Sequence, residues 1–193
     1  MLIMQTMATE YRRRLDEGEL DALLQRIASG DREALADLYH RVRTTVYALA
    51  LSYLKNAQDA EDVTQDAFVQ IWESAPSYRP AGKAVAWMLT VTRNLCLMRL
   101  RKAQHDGTLS EEEWAVLPEL PQGVDPEERL ALSAAVETLD EQERRIVLLY
   151  AVTGWKHREI AALLELPLPT VLSKYHRALK KLRKRLEGDL SHD

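Results

Sequence analysis

From Leu166 to Leu186 the chain carries Lys174, Arg177, Lys180, Lys181, Arg183, Lys184 and Arg185 and not one carboxylate. A row of cations at helical spacing attracts phosphates. Where the row follows a short helix and a tight turn, its first half can meet base edges while later cations reach the backbone of a duplex. Thr170, Ser173, Lys174 and Arg177 are therefore the candidate base and nearby-backbone contacts, and Lys180, Lys181 and Lys184 are left to steer phosphates or face solvent. A second cationic run, Arg79, Lys83, Arg93, Arg99, Arg101 and Lys102, lies in a stretch without acids from Ser74 to His105. Asn94, beside Arg93, can both donate and accept at a base edge. Tyr78, between Ser77 and Arg79, is the ring expected to stand exposed for stacking on an unpaired base, whereas Trp87 is expected in the core. Asp59, Glu61, Asp62, Asp66 and Glu73, interrupted by Gln65 and Gln70, have the opposite sign. DNA would be repelled there, so this face is expected to dock a basic protein.

Other chemistries find no foothold. The five histidines, His40, His105, His157, His176 and His192, are scattered without metal-ligand spacing, and no glycine-rich phosphate cradle occurs. Cys96, the single cysteine, can form no internal disulfide and is expected to be a core residue. No catalytic residue, metal site, cofactor or small-molecule substrate is therefore expected.

The elements that position these residues read as helices throughout, with no sustained two-residue alternation to argue for a strand. A short helix is expected over Leu20 to Ala28. From Asp31, an N-cap after Ser29-Gly30, the apolar positions Leu35, Leu38, Tyr39, Val42, Val46, Leu49, Ala50 and Tyr53 recur at three- and four-residue steps. A helix from about Asp59 to Ser74 buries Val63, Ala67 and Ile71, and another from about Lys83 to Lys102 turns Val85, Met88, Leu89, Thr92, Leu95 and Cys96 inward. Asp125-Pro126-Glu127-Glu128 is a strong start signal, and Asp140 with Glu143 repeats the capping logic ahead of an apolar face that ends near Gly154. Helices over about His157 to Leu164 and Pro169 to Leu186 complete a helix-turn-helix.

A chain of 193 residues, 46% hydrophobic and 29% charged with few aromatics, can bury cores and is not broadly disordered. Residues 1–103 hold 14 basic and 13 acidic groups, residues 104–125 none and six, and residues 126–193 12 and 11. Two near-neutral units thus flank an acidic stretch that also contains Gly107, Pro118, Pro121 and Gly123. The expected architecture is all-α, with an N-terminal helical bundle (1–103) and a C-terminal helix-turn-helix domain (126–193) joined by a flexible acidic linker (104–125). No apolar run approaches the ~20 residues that span a bilayer, and Met1, Leu2, Ile3 and Met4 make too short a patch for a signal-peptide core. A cytoplasmic protein without membrane insertion is expected.

The run Asp59-Ala60-Glu61-Asp62-Val63-Thr64-Gln65-Asp66-Ala67-Phe68, followed by Ala86-Trp87-Met88-Leu89 and Thr92-Arg93-Asn94, resembles region two of bacterial sigma factors. The second half resembles region four, from Leu139-Asp140-Glu141-Gln142-Glu143-Arg144 through Glu159-Ile160-Ala161 to Thr170-Val171 and His176-Arg177-Ala178. The order of the halves and the short linker are those of the extracytoplasmic-function group. The resemblance implies a subunit that binds core RNA polymerase and directs promoter-specific initiation. It places the coiled coil of the polymerase beta-prime subunit against Asp62, Gln65, Asp66 and Gln70. It assigns the −10 promoter element to Lys83, Arg93, Asn94, Arg99 and Arg101, and the −35 element to Thr170, Ser173, Lys174 and Arg177. It also implies control by an anti-sigma factor. Met98 stands where the family usually has an acid or amide, Glu165 and Pro169 where it usually has glycine, and Leu172 where lysine is frequent. Two other readings accommodate the residues. One is a stand-alone helix-turn-helix regulator that dimerises through its N-terminal bundle. The other is a sigma-like decoy that sequesters an anti-sigma factor, against which the cationic surfaces argue.

Overall fold

In the computed structural model of the chain, residues 16–106 and 134–189 are described, and among them there is no strand. Helix α1 (Glu17–Ala28) starts at Asp16, whose carboxylate accepts the Glu19 N–H at 3.0 Å. Asp31 starts α2 (Arg32–Leu54) by accepting from Glu33 and Ala34. Those N–H donors, Ala34's first, and Arg26 hold its carboxyl below the usual range. Helix α3 (Ala57–Ser74) begins two residues before the expected Asp59, because the Asn56 side chain accepts the Asp59 N–H at 2.9 Å and caps the turn ahead of it. A 3-10 turn over Ala75–Ser77 leads to α4 (Ala84–Asp106). At its first turn Glu17, on α1, accepts the Val85 N–H at 3.2 Å, and partial burial there raises the Glu17 pKa.

Helix α4 runs through Asp106, three residues past the boundary expected at 103. The rest of the expected linker and the start signal at Asp125 lie outside the described residues. The second half resumes with helical residues 134–137, then α5 (Glu141–Thr153), α6 (His157–Leu164) and α7 (Leu168–Asp189). Asp140 and Glu143 form the expected reciprocal capping box at 2.8 and 3.1 Å. Gly154 closes α5 with φ +65°.

The first core gathers Leu20, Leu24, Leu38, Leu49, Ile71 and Met88 from α1 to α4. It does not stop at the end of the first half: Ile146, Leu149, Ile160 and Val171 belong to the same cluster, because α2 packs along α5. A smaller second core holds Ala135, Val136, Leu139, Val147, Ala178 and Leu182, and fixes α7 on α5. Cys96 is fully buried as expected, and its thiol is pushed up to about 12 by that burial. Trp87 packs partly buried against the first core, as expected. Tyr78 does not stand exposed. It is half-buried, donates its hydroxyl to Asp21 and packs against Trp87 with ring centroids 4.8 Å apart.

Candidate nucleic-acid interface

The turn between α6 and α7 sets the angle of the cationic helix. Glu165 is in the left-handed region at φ +55°, and its N–H and that of Leu166 donate to Ala162 and Ala161 carbonyls at 3.4 and 3.0 Å. A non-glycine residue there costs about 1 kcal/mol or more. Helix α7 turns Val171, Ala178 and Leu182 inward, at 0, 0 and 5% exposure. That orientation leaves Pro169, Leu172, Ser173, His176, Arg177, Lys180 and Lys184 exposed on the outer side.

The four candidate duplex contacts do not share one surface. Ser173 and Arg177 are exposed, Ser173 donating to the Thr170 carbonyl at 3.0 Å and Arg177 Nε to that of Ser173 at 3.4 Å, while Thr170 is half-buried. Lys174 points elsewhere. Its ammonium binds Asp140 at 3.0 Å, and its side chain is only 15% exposed. Desolvation alone would raise the Asp140 pKa, yet the Glu143 N–H and Lys174 hold it below the usual range. Lys181, expected to steer phosphates or face solvent, instead pairs at 2.6 Å with Glu143, which is buried. These two lysines pin α7 to the capped end of α5. One residue of rotation is about 100° on a helix, so a helix that buries Val171 and offers Ser173 to solvent must turn Lys174 toward its flank.

Lys83, just ahead of α4, and Asn94, Arg101 and Lys102 on it are exposed. Arg93, expected to contact DNA, is covered in the structure. Its two terminal nitrogens donate to the Glu165 carboxylate at 3.1 and 2.7 Å, its side chain is 14% exposed, and its buried Nε has no partner. Arg99 is held by Asp59 and, at 3.1 Å, by Asp62, so part of the acidic helix neutralises the cationic one beside it. Gln65, Asp66 and Gln70 are exposed on α3; Asp62 is half-buried, engaged by Arg99 and Gln58.

Sequence reasoning missed residues here. Val69 is 58% exposed on the α3 face that carries Asp66 and Gln70; Met98, already singled out in the sequence, is 62% exposed beside a 570 Å³ groove lined by Asp59, Val63, Asp66, Leu95 and Lys102. Val69 falls off the Val63, Ala67, Ile71 period of its helix, which is the signal that could have found it. Arg145 was also missed. It donates to the Ser52 carbonyl at 3.1 Å and stacks 3.9 Å over the Tyr53 ring, beside the Lys55–Glu141 pair, so it joins the two halves. Nothing local marks that role, because its partners lie about ninety residues away in the chain.

The family model described as sigma-70 region 2 matches residues 38–105, and that described as sigma-70 region 4 matches residues 129–182. The ECF RNA polymerase sigma factor SigK of Mycolicibacterium vanbaalenii is 30% identical over 173 residues, covering 86% of this chain and 88% of the relative. SigK of Mycobacterium tuberculosis is 28% identical over 182 residues, covering 88% and 94%. Among solved structures, CnrH in complex with the cytosolic domain of CnrY aligns with a TM-score of 0.62 and 25% identity, over 89% of this chain and 99% of that one. The sigma factor RpoE in complex with the anti-sigma factor NepR from Bartonella quintana shares the fold, with a TM-score of 0.63 and 24% identity over 77% and 94%.

Proposed function

The chain belongs to the extracytoplasmic-function RNA polymerase sigma factors, and from that membership we propose how its surfaces divide the work of bringing core polymerase to a promoter. It is a transcription initiation factor, and its proposed contribution is recognition alone, with no catalytic site of its own. Residues 1–103 are the proposed region-two domain and residues 126–193 the region-four domain, with residues 104–125 as the tether. Gln65, Asp66 and Gln70, with Asp62 at their edge, form the docking face for the beta-prime coiled coil, and exposed Val69 adds an apolar centre to it. Lys83, Asn94 and Arg101 meet the −10 element together with Arg93 and Arg99, which exchange their present carboxylates for DNA when they do so. Ser173 and Arg177, with Thr170, enter the −35 duplex, while Lys174 sets the angle of α7 from its pair with Asp140. The observation that carries this reading is the orientation of α7: its apolar side is buried in the fold, and Arg177, Lys180 and Lys184 stand along the outer side while Lys174 and Lys181 tie the helix to α5.

No helix among the described residues is long and apolar enough to cross a membrane, and the cytoplasm, where core polymerase works, is the proposed location. An anti-sigma factor is the proposed regulator. The test is reconstituted transcription from a randomised promoter library. Asp66→Lys is expected to lose core binding by at least tenfold on a pull-down without loss of fold. Arg177→Ala is expected to keep core binding and lose −35-dependent transcripts. Core binding by Asp66→Lys at the wild-type level would remove the docking assignment.

A further inference from the structure

Among the described residues, four large apolar side chains are exposed, Val69, Met98, Leu168 and Leu172 at 58, 62, 41 and 37%. The last two are one turn apart, at i and i+4, on the first two turns of α7, so they form one apolar strip. They are not overflow from the core, since the inward positions of α7 are taken by Val171, Ala178 and Leu182. The strip borders exposed Ser173, His176 and Arg177, and exposed Lys180 and Lys184 continue the outer surface. A partner that fits must therefore be anionic around its edges and apolar at one spot. The major groove of DNA meets both conditions: phosphates flank it, and the thymine C5-methyl is the apolar group on its base edges. Lys174 cannot serve as the base reader at this place while it is bound to Asp140.

We propose that Leu172, with Leu168 one turn before it, reads the C5-methyl group of thymine in the upstream promoter duplex. This rests on the reading above that α7 enters that duplex. Thymine would then be specified by contact with carbon, with Ser173 and Arg177 supplying the polar part of the recognition.

The experiment uses the full chain with core polymerase and the upstream element selected from the promoter library, its thymines replaced one at a time by uracil, which removes only the methyl group. Wild-type holoenzyme should bind about three- to fivefold more weakly at one or two of these positions, as expected for exposing about one buried methyl. Leu172→Ala, an exposed position whose truncation should leave the melting curve unchanged, should bind the thymine duplex as weakly as wild type binds the uracil duplex and be indifferent to the replacement. Tolerance of uracil at every position by wild type, or undiminished methyl sensitivity in Leu172→Ala, would overturn the proposal while leaving −35 recognition standing. Selection of no upstream element at all would overturn both.

Discussion

Single residues in this fold carry constraints that only their neighbours explain. His157 stacks on Tyr150 at 5.2 Å and meets Tyr175 edge-on at 4.5 Å, with its Nε2 buried and unpartnered. Burial first, and the nearby charge of His176 second, hold its pKa below 6.5. The unfolded chain therefore takes up this proton at a higher pH than the folded one does, so stability falls as pH drops below 6.5 and is unaffected by this group above neutrality. The drop in melting temperature between pH 7.5 and 5.5 should shrink in His157→Phe, which keeps the ring stack and cannot be protonated. An equal drop in both proteins would contradict this account. Glu165 shows a different balance. Its left-handed backbone costs about 1 kcal/mol, and its pair with Arg93, exposed on the glutamate side, returns at most about the same. The two roughly offset, so glutamate can stand in a turn that would suit glycine.

At the scale of elements, α7 is placed by charges that point inward. Glu143 caps α5, accepts Lys181 and is itself 1% exposed, while the neighbouring Arg144 donates to the Val136 and Leu139 carbonyls and ties down the 134–139 segment. Truncating Glu143 removes half of the capping box and leaves a cation beside an emptied buried site. Glu143→Ala should cost about 2 kcal/mol by denaturant titration and weaken −35 recognition more than −10 recognition. A loss under about 0.5 kcal/mol would show that the second core holds α7 without this network. The helices themselves were legible in the sequence. Asp31, and Asp140 with Glu143, cap where expected, and the three- and four-residue steps of α2 bury Leu38, Val42, Val46, Leu49, Ala50 and Tyr53, with Leu35 and Tyr39 partly buried. Helix α4 was less so at its start, because Glu17 on another helix accepts a first-turn N–H.

At the scale of the whole molecule, the two halves share a core. Leu149 and Ile146 on α5 join the cluster built by α2 and α4, and Arg145 closes the seam over Tyr53 and Ser52. The exposed ion pairs at the edges contribute little beside this apolar contact. Arg145→Glu would set a carboxylate on the Tyr53 ring and beside Glu141, leaving the helix-turn-helix core untouched. It should enlarge the radius of gyration in small-angle scattering and split a single melting transition into two. An unchanged scattering profile would show that the shared core suffices alone.

The sequence by itself determined what is periodic and local: helices, their caps, the sign of each face, and the ordered pair of motifs that reveals the family. These depend on residues within a few positions of one another, and so they can be read along the chain. Which cations remain open was decided only by the tertiary structure, because ion pairs form between residues 34 to 72 positions apart. The exposed leucines on α7 belong to the same class. Their composition says core, and only the direction in which Val171 is buried turns them outward.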